Sequence, residues 1–491
     1  MKNLKKQGYI AFLWDFGGKI ATQGAGLIIT IFLARLLTPT DFGMIAMIMV
    51  IVGMASIFTD VGLASALIQK RRALQAHYSS VFFFNLALGV IFSIIIFFCA
   101  PYIASFYEAP TLEPLTKAIA FLFVIDALGT VQGARLRKSL KYSLLTKASF
   151  TASLLGGITG VALAYFGAGV WSLVIQMLLS SSIRVSILWI ASGWRPSLIF
   201  SFKALRYLWK FGFRMFLSGL LNAVADRISY VFIGKLFPAA ILGYFQRAKS
   251  LNMLIISYSS GSLMSVMFPV LSKVQHDLPR FKRIIIKGMH LISFVVFMLL
   301  GGMYVTSAEL IQLLFGPQWL PSIEMFRILA LSGFGYPISA LLVNVLSSRG
   351  NSKDFLKLEI YKKMLIPFNI LTLYFFGLYS FMYFLVFTTI LAVLMNIYFV
   401  EKEISIGIST ILKPILTQMA LASISAFTVI FLIGDHSSML FFYICLKGVV
   451  FLGLYFAINK IVKSKSLTYF IEESRPLYNK LVQKVKNGRS H

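Results

Sequence analysis

From Leu220 to Leu251 the chain reads LLNAVADRISYVFIGKLFPAAILGYFQRAKSL. An apolar helix of membrane length carries Asp226 and Arg227 near its middle, turns at Pro238, and leads into a second helix opening with Gln246, Arg247 and Lys249. An ionisable side chain in hydrocarbon costs at least a few kcal/mol, so it persists where it faces a protein interior or a water-filled path. Neighbouring residues point about 100° apart on a helix, so Asp226 and Arg227 cannot pair well with each other. Each needs another partner or a polar lumen.

The chain around this stretch is equally apolar, with 58% hydrophobic and 13% charged residues and a mean hydropathy of +0.83 over 491 residues. Soluble domains run nearer a quarter charged. The apolar runs are continuous rather than alternating, which excludes a β-barrel. Windows near 12–36, 42–68, 81–104, 114–134, 146–166, 168–191, 212–236, 239–270, 284–307, 323–346, 358–377, 379–400, 411–433 and 438–460 give about fourteen spans. The expected fold is an all-α polytopic membrane protein of two six-helix lobes plus a C-terminal helix pair.

The net charge of +29 would suggest nucleic acid in a soluble chain, but Lys and Arg lie mostly between the apolar runs, so a nucleic-acid partner is not expected. Basic residues gather in the N-terminal tail, Lys70–Arg72, Arg135–Lys147, Arg195–Lys210, Lys273–Lys287, Arg349–Lys363, Lys402–Lys413 and from Lys460 onward. The alternate turns, around Thr38, Ala109, Gly167, Pro238, Pro317, Gly377 and Asp435, carry almost none. By the positive-inside rule both termini are expected in the cytoplasm, with the Lys-rich N-terminus a first membrane helix rather than a cleaved signal.

Domain boundaries follow. An N-terminal lobe over 1–195 is expected, then an amphipathic interfacial linker over 196–211, where SFKALRYLWKFG sets Phe202, Leu205, Leu208 and Trp209 opposite Lys203, Arg206 and Lys210. The alternative is that this stretch is the basic start of the next span. A second lobe over 212–402, a helix pair over 403–462 and a basic cytoplasmic tail over 463–491 complete the chain. Leu33–Gly43 (LARLLTPTDFG) and Ile233–Gly243 (IGKLFPAAILG) align at a constant offset of 200, matching Arg35 with Lys235 and Gly43 with Gly243. A six-helix repeat has even parity, so both copies run the same way through the membrane, and transporters built so place substrate between the halves.

Constellations for catalysis are thin. The five histidines, His77, His276, His290, His436 and His491, have no metal-ligand spacing; there is no phosphate-cradling Gly-rich loop; and Cys99 and Cys445 sit far apart inside apolar runs. No enzyme, cofactor or metal is expected. The candidate residues are polar groups inside spans. Asp15, Lys19 and Gln23 recur every four residues on one helix face, either lining a cavity or with Asp15 and Lys19 neutralising each other. Asp60, Asn85 and Asp126 sit singly in successive spans, and isolated membrane carboxylates are proton-site candidates or helix-to-helix hydrogen-bond partners. Arg184 either lines a lumen or snorkels, and Lys447, alone in the last span, is expected to snorkel. Cations from both halves suit an anionic ligand, since Arg grips phosphate with a planar fork.

The stretches LARLLTPTDFGMIAM (Leu33–Met47), TDVGLASALIQ (Thr59–Gln69), ADRISYVFIGKLF with LGYFQRA (Ala225–Ala248), FPVLSKVQHD (Phe268–Asp277) and FGPQW (Phe315–Trp319) together resemble the polysaccharide-export flippases of the multidrug/oligosaccharidyl-lipid/polysaccharide superfamily, in the branch of colanic-acid, teichuronic-acid and O-antigen exporters. Asp226, Arg227 and Arg247 match that family's pattern, while Gln246 departs from its usual aromatic or Asn. The resemblance implies a bacterial inner-membrane protein that flips undecaprenyl-pyrophosphate-linked oligosaccharide repeat units for O-antigen, capsule or exopolysaccharide synthesis by alternating access. It also implies working partners in a polysaccharide polymerase and chain-length machinery. On this reading Lys19, Arg184, Arg227, Arg247 and Lys249 form a cationic cleft, Asp60, Asp126 and Asp226 couple transport to an ion, and Asp15, Gln23, Asn85 and Asn222 line the path. The alternatives are export of small amphipathic drugs, which a cationic cleft disfavours, and a membrane glycan polymerase or acyltransferase, for which no external loop is long enough.

Overall fold

Without water to take up backbone N–H and C=O groups, a membrane-embedded segment satisfies them within itself as a helix, and among the described residues the apolar windows are mainly helical. The computed structural model describes residues 2–60, 62–70, 72–436 and 438–475; the side chains of some residues within its helices, Asp15 and Asp60 among them, lie outside the described residues. The helices are α1 (Lys2–Leu36), α2 (Pro39–Asp60), α3 (Leu63–Gln69), α4 (Gln75–Phe106), α5 (Leu112–Lys138), α6 (Tyr142–Tyr165), α7 (Trp171–Ser192), α8 (Phe202–Leu236), α9 (Ala239–Lys273), α10 (Leu278–Val305), α11 (Ser307–Phe315), α12 (Pro321–Ala330), α13 (Gly335–Ser348), α14 (Ser352–Lys363), α15 (Leu365–Ile404), α16 (Ile408–Ile433) and α17 (Leu440–Ile461). A further helical stretch covers 465–475. Among the described residues ten helices are long and apolar enough to cross a membrane. One of these, Lys353–Ile404, is two spans folded back on one another.

The fold-back occurs at Gly377, whose φ of 82° and ψ of −177° interrupt α15. Thr388 donates to Asn369 Oδ1 at 3.3 Å. Nineteen residues along a straight helix would separate these groups by about 28 Å, so the two arms of α15 lie side by side. The window 42–68 is also broken: α2 ends at Asp60, Gly62 adopts φ 70°, and α3 restarts at Leu63. Gly carries this left-handed conformation without the Cβ penalty. The window 323–346 divides into α12 and α13.

Contacts divide the chain into two compact units, Met1–Gly243 and Tyr244–His491. In the first, α4 packs on α5, α6 on α7 and α1, and α8 on α2, α3 and α4. Small residues permit the close approaches: Gly156, Gly157 and Gly160 of α6 meet Ser180, Ile29 and Gln176. The stretch 202–210 runs unbroken into α8, and its Leu205 and Leu208 join a buried cluster with Leu63, Leu67, Phe82, Val131 and Trp194. In the second unit α10 packs on α13, α16 and α17, and α11 on α17.

The repeat is visible in the helix boundaries. α1 and α8 end 200 residues apart, at Leu36 and Leu236, and α2 and α9 begin at Pro39 and Ala239. The two turns meet within the first unit. A Cβ on Gly43 would fall 1.7 Å from the Ala239 carbonyl oxygen, and one on Gly243 would fall 2.1 Å from that of Pro39. The contact is reciprocal: each glycine faces the first residue of the other copy's helix.

Candidate functional site

Four of the polar residues singled out along the sequence converge in the first unit. A cavity of about 520 Å³ is lined by Lys19 and Gln23 of α1, Asp126 of α5 and Arg184 of α7, together with Thr22, Thr130, Arg137, Tyr142, Thr146 and Ser149. Asp126, Thr130, Gly133 and Arg137 share a face of α5 because they recur at three- and four-residue steps. Arg184 Nη2 donates to Asp126 Oδ1 at 2.8 Å, and Ser181 Oγ donates to the same oxygen. Asp126, single in its span, thus makes the helix-to-helix hydrogen bond that was its alternative reading, and Arg184 is its partner on a helix brought alongside. Both remain over two-fifths exposed in the cavity, so the guanidinium keeps N–H groups toward the open space.

Its described charged lining is Lys19, Arg137 and Arg184 against Asp126. With five hydroxyl residues and Gln23 beside them, this lining offers donors to an anionic, oxygen-rich ligand. Arg137 and the hydroxyls escaped notice in the sequence, although the helical spacing from Asp126 to Arg137 and from Tyr142 to Ser149 could have found them.

Other expected residues lie elsewhere. Arg227 Nη1 donates to the Met49 carbonyl of α2 at 2.6 Å, and its guanidinium occupies the space beside Gly53, where a Cβ would fall 2.0 Å from Cζ. Asp226 and Asn222 are exposed on α8, and Asn85 is fully buried in α4. None of these four lines the cavity. Arg247, 6% exposed, lies in the second unit with its guanidinium 4.7 Å from the Phe315 ring centre and 4.9 Å from that of Trp319. Lys249 lies 5.9 Å from the ring of Phe245. At the α4–α5 turn Lys235 Nζ donates to Glu108 Oε1 at 2.7 Å, and that hydrogen bond and charge hold the Glu108 carboxyl below the usual range.

Lys447 does not snorkel. It is wholly buried, and its Nζ donates to Glu309 Oε1 at 2.6 Å and to Asp435 Oδ1 at 3.2 Å. The snorkelling expectation fails because α11 supplies a carboxylate in the protein interior, which hydrocarbon cannot. Arg327 Nη2 donates to both oxygens of Asp435 at 2.9 Å. Burial pushes the Asp435 carboxyl up, but Arg327 and then Lys447 more than reverse this, leaving it below the ordinary carboxylate range. Nearby, a second cavity of about 460 Å³ is lined by apolar residues of α10, α12, α15 and α16, including Phe297, Tyr304, Phe334, Met419 and Phe427.

Ten membrane-length apolar helices among the described residues, with a polar cavity between helices of the first unit, define a multi-pass membrane protein. A match to the polysaccharide biosynthesis protein family runs over residues 32–324, and the chain belongs to that family. It is 25% identical over 319 residues to the succinoglycan biosynthesis transport protein ExoT of Rhizobium meliloti (strain 1021), covering 65% of each chain. It is 23% identical over 336 residues to the lipopolysaccharide biosynthesis protein WzxC of Escherichia coli (strain K12), covering 67% of this chain and 68% of that one. The teichuronic acid biosynthesis protein TuaB of Bacillus subtilis (strain 168) is 26% identical over 282 residues, 57% of this chain and 58% of its own length. The matched part is thus about two thirds or less of these relatives. Among solved structures the fold is similar to the lipid II flippase MurJ in an inward closed conformation, with a TM-score of 0.73 and 15% identity over 95% of this chain and 100% of that one. It is also similar to an inward-facing multidrug resistance MATE family transporter, with a TM-score of 0.61 and 16% identity over 78% and 94% of the two chains.

Proposed function

We propose that this protein is a flippase, not an enzyme, that moves undecaprenyl-pyrophosphate-linked oligosaccharide repeat units across the bacterial inner membrane for synthesis of an O-antigen, capsule or exopolysaccharide. The observation that carries this reading is the cavity of the first unit, where Lys19, Arg137 and Arg184 meet hydroxyl groups. Pyrophosphate and sugars ask for that combination of cations and short polar donors. Family membership and relatives named for succinoglycan, lipopolysaccharide and teichuronic acid biosynthesis support the same substrate class. Small cationic drugs suit this lining less well, since three described cations face one carboxylate.

The protein works by alternating access between two six-helix lobes, with α16 and α17 as an added pair, both termini in the cytoplasm and the 196–211 stretch at the membrane interface. Lys19 and Arg184 hold the headgroup; Arg227, Arg247 and Lys249 extend the cationic path, with Asp15, Gln23, Asn85 and Asn222 beside it. Asp126, Asp60 and Asp226 couple the cycle to an ion gradient, so that the protein acts as an antiporter. Polysaccharide polymerase and chain-length machinery receive the product. Paired Lys19→Ala and Arg184→Ala substitutions, expressed at native level in the deletion strain, are expected to lower surface polysaccharide at least tenfold and to accumulate the lipid-linked repeat unit. Normal polysaccharide at equal protein level would end the cationic-cavity reading.

A further inference from the structure

The Lys447 network has a form that simple helix glue does not require. Glu309 and Lys447 are both 0% exposed, whereas the side chains of Asp435 and Arg327 are 43% and 24% exposed. The chain Asp435 Oδ1, Lys447 Nζ, Glu309 Oε1 therefore runs from surface to interior in two contacts of 3.2 and 2.6 Å. Glu309 Oε1 also accepts the His436 backbone N–H at 3.0 Å, but Glu309 Oε2, fully buried, has no partner among the described residues. A buried carboxylate oxygen left without a donor carries its full desolvation cost.

Three elements meet here: α11 brings Glu309, α12 brings Arg327, and the α16–α17 turn with α17 brings Asp435, His436 and Lys447. Arg327 Nε donates to Ser307 Oγ at 2.9 Å, and its guanidinium lies 5.8 Å from the Tyr304 ring, which lines the apolar cavity. The His436 ring stacks on Tyr443 with centres 3.7 Å apart. If α17 draws away from α11, Lys447 keeps Asp435, but Glu309 stays behind as a lone charge in a dry interior. Such a separation is strongly unfavourable unless the carboxylate is neutralised.

We propose that Glu309 is a proton-binding site and that, with Lys447, it forms a proton-linked latch fastening α17 to α11, while the Arg327–Asp435 pair keeps the α16–α17 turn on α12. The proton adds to Glu309 Oε2, giving a neutral carboxyl; Lys447 stays protonated and passes from a shared position to Asp435 alone. Acid thus favours the open latch. The inference deepens the ion-coupled reading above, but its test measures helix separation and does not depend on any substrate.

Spin labels on the native, exposed Cys445 of α17 and on Gln312→Cys of α11, with Cys99→Ser removing the other thiol, report the separation by double electron–electron resonance in nanodiscs. In the otherwise native chain the distance distribution should lengthen reversibly as pH is lowered. Glu309→Gln should hold it lengthened at every pH, and Lys447→Arg should still titrate. His436→Gln should also titrate, since its ring makes no contact with Glu309. A native distribution that ignores pH overturns the proposal without any variant, so a Glu309→Gln chain that failed to fold would leave the test intact. A Glu309→Gln chain that titrates like the native one, or a titration lost only with His436→Gln, would overturn it as well. A normal titration together with normal polysaccharide export by the Lys19→Ala, Arg184→Ala chain would instead count against the flippase reading and leave the latch standing.

Discussion

Arg247 lies against the faces of two aromatic residues that the chain delivers seventy residues later, in the FGPQW stretch. A desolvated cation over aromatic rings gains about 2 kcal/mol or more, and the planar guanidinium stacks where an ammonium cannot. Arg247→Lys, which keeps the charge, is therefore expected to cost about 1–2 kcal/mol of stability, seen as a lowered Tm of the detergent-solubilised protein. An unchanged Tm would mean that the rings are only neighbours. At the glycine crossing, a methyl on Gly43 or Gly243 meets a carbonyl oxygen well inside contact distance. Each Gly→Ala should cost about 1–3 kcal/mol. The double variant should cost less than the two together, because once the backbones have parted the second methyl meets less resistance. Residue-scale partners were the least visible in the sequence. Lys447 and Glu309 are 138 positions apart with no periodicity linking them, and Asp126 and Arg184 meet only because α5 packs on α7.

Elements were far more open to inspection, because a continuous apolar run leaves the backbone no choice in a bilayer. The turn expected around Gly377 is there, yet it is a single left-handed residue rather than a loop. Its conformation is close to glycine-only territory, so Gly377→Ala should cost about 1–3 kcal/mol and splay the two arms of α15. Loss of the Thr388 to Asn369 contact, followed by disulfide trapping between cysteines placed at those positions, checks it; trapping as efficient as in the Gly377 chain would disprove the strain. The break at Gly62 and the division of 323–346 were hidden for a physical reason. Hydropathy reports where a segment lies, not whether its helix is continuous. The α16–α17 turn has its own pH signature. Asp435 is held below the ordinary carboxylate range, so its contribution to stability is complete at neutral pH and is lost only as pH falls through that lowered value. The Tm of the native protein should therefore depend on Asp435 at neutral pH, and the difference from Asp435→Asn should vanish in strong acid.

At the scale of the whole molecule, the family was legible in the sequence, while the cavity on which the proposed function rests needed five helices to be assembled in space. Lys19, Gln23, Asp126 and Arg184 were each visible as an oddity in its own span; that they share one chamber was not. A reporter fused after 475 should be active only on the cytoplasmic side if the basic loops set the orientation. The crossing of Gly43 and Gly243 bears on how such a chain can be re-engineered. Because each turn is shaped to receive the other, the two copies cannot be exchanged one at a time. A chimaera taking its first 200 residues from a relative would inherit one side of the fit. It should assemble only when the donor also has glycine at the position of Gly43, or when both turns travel together.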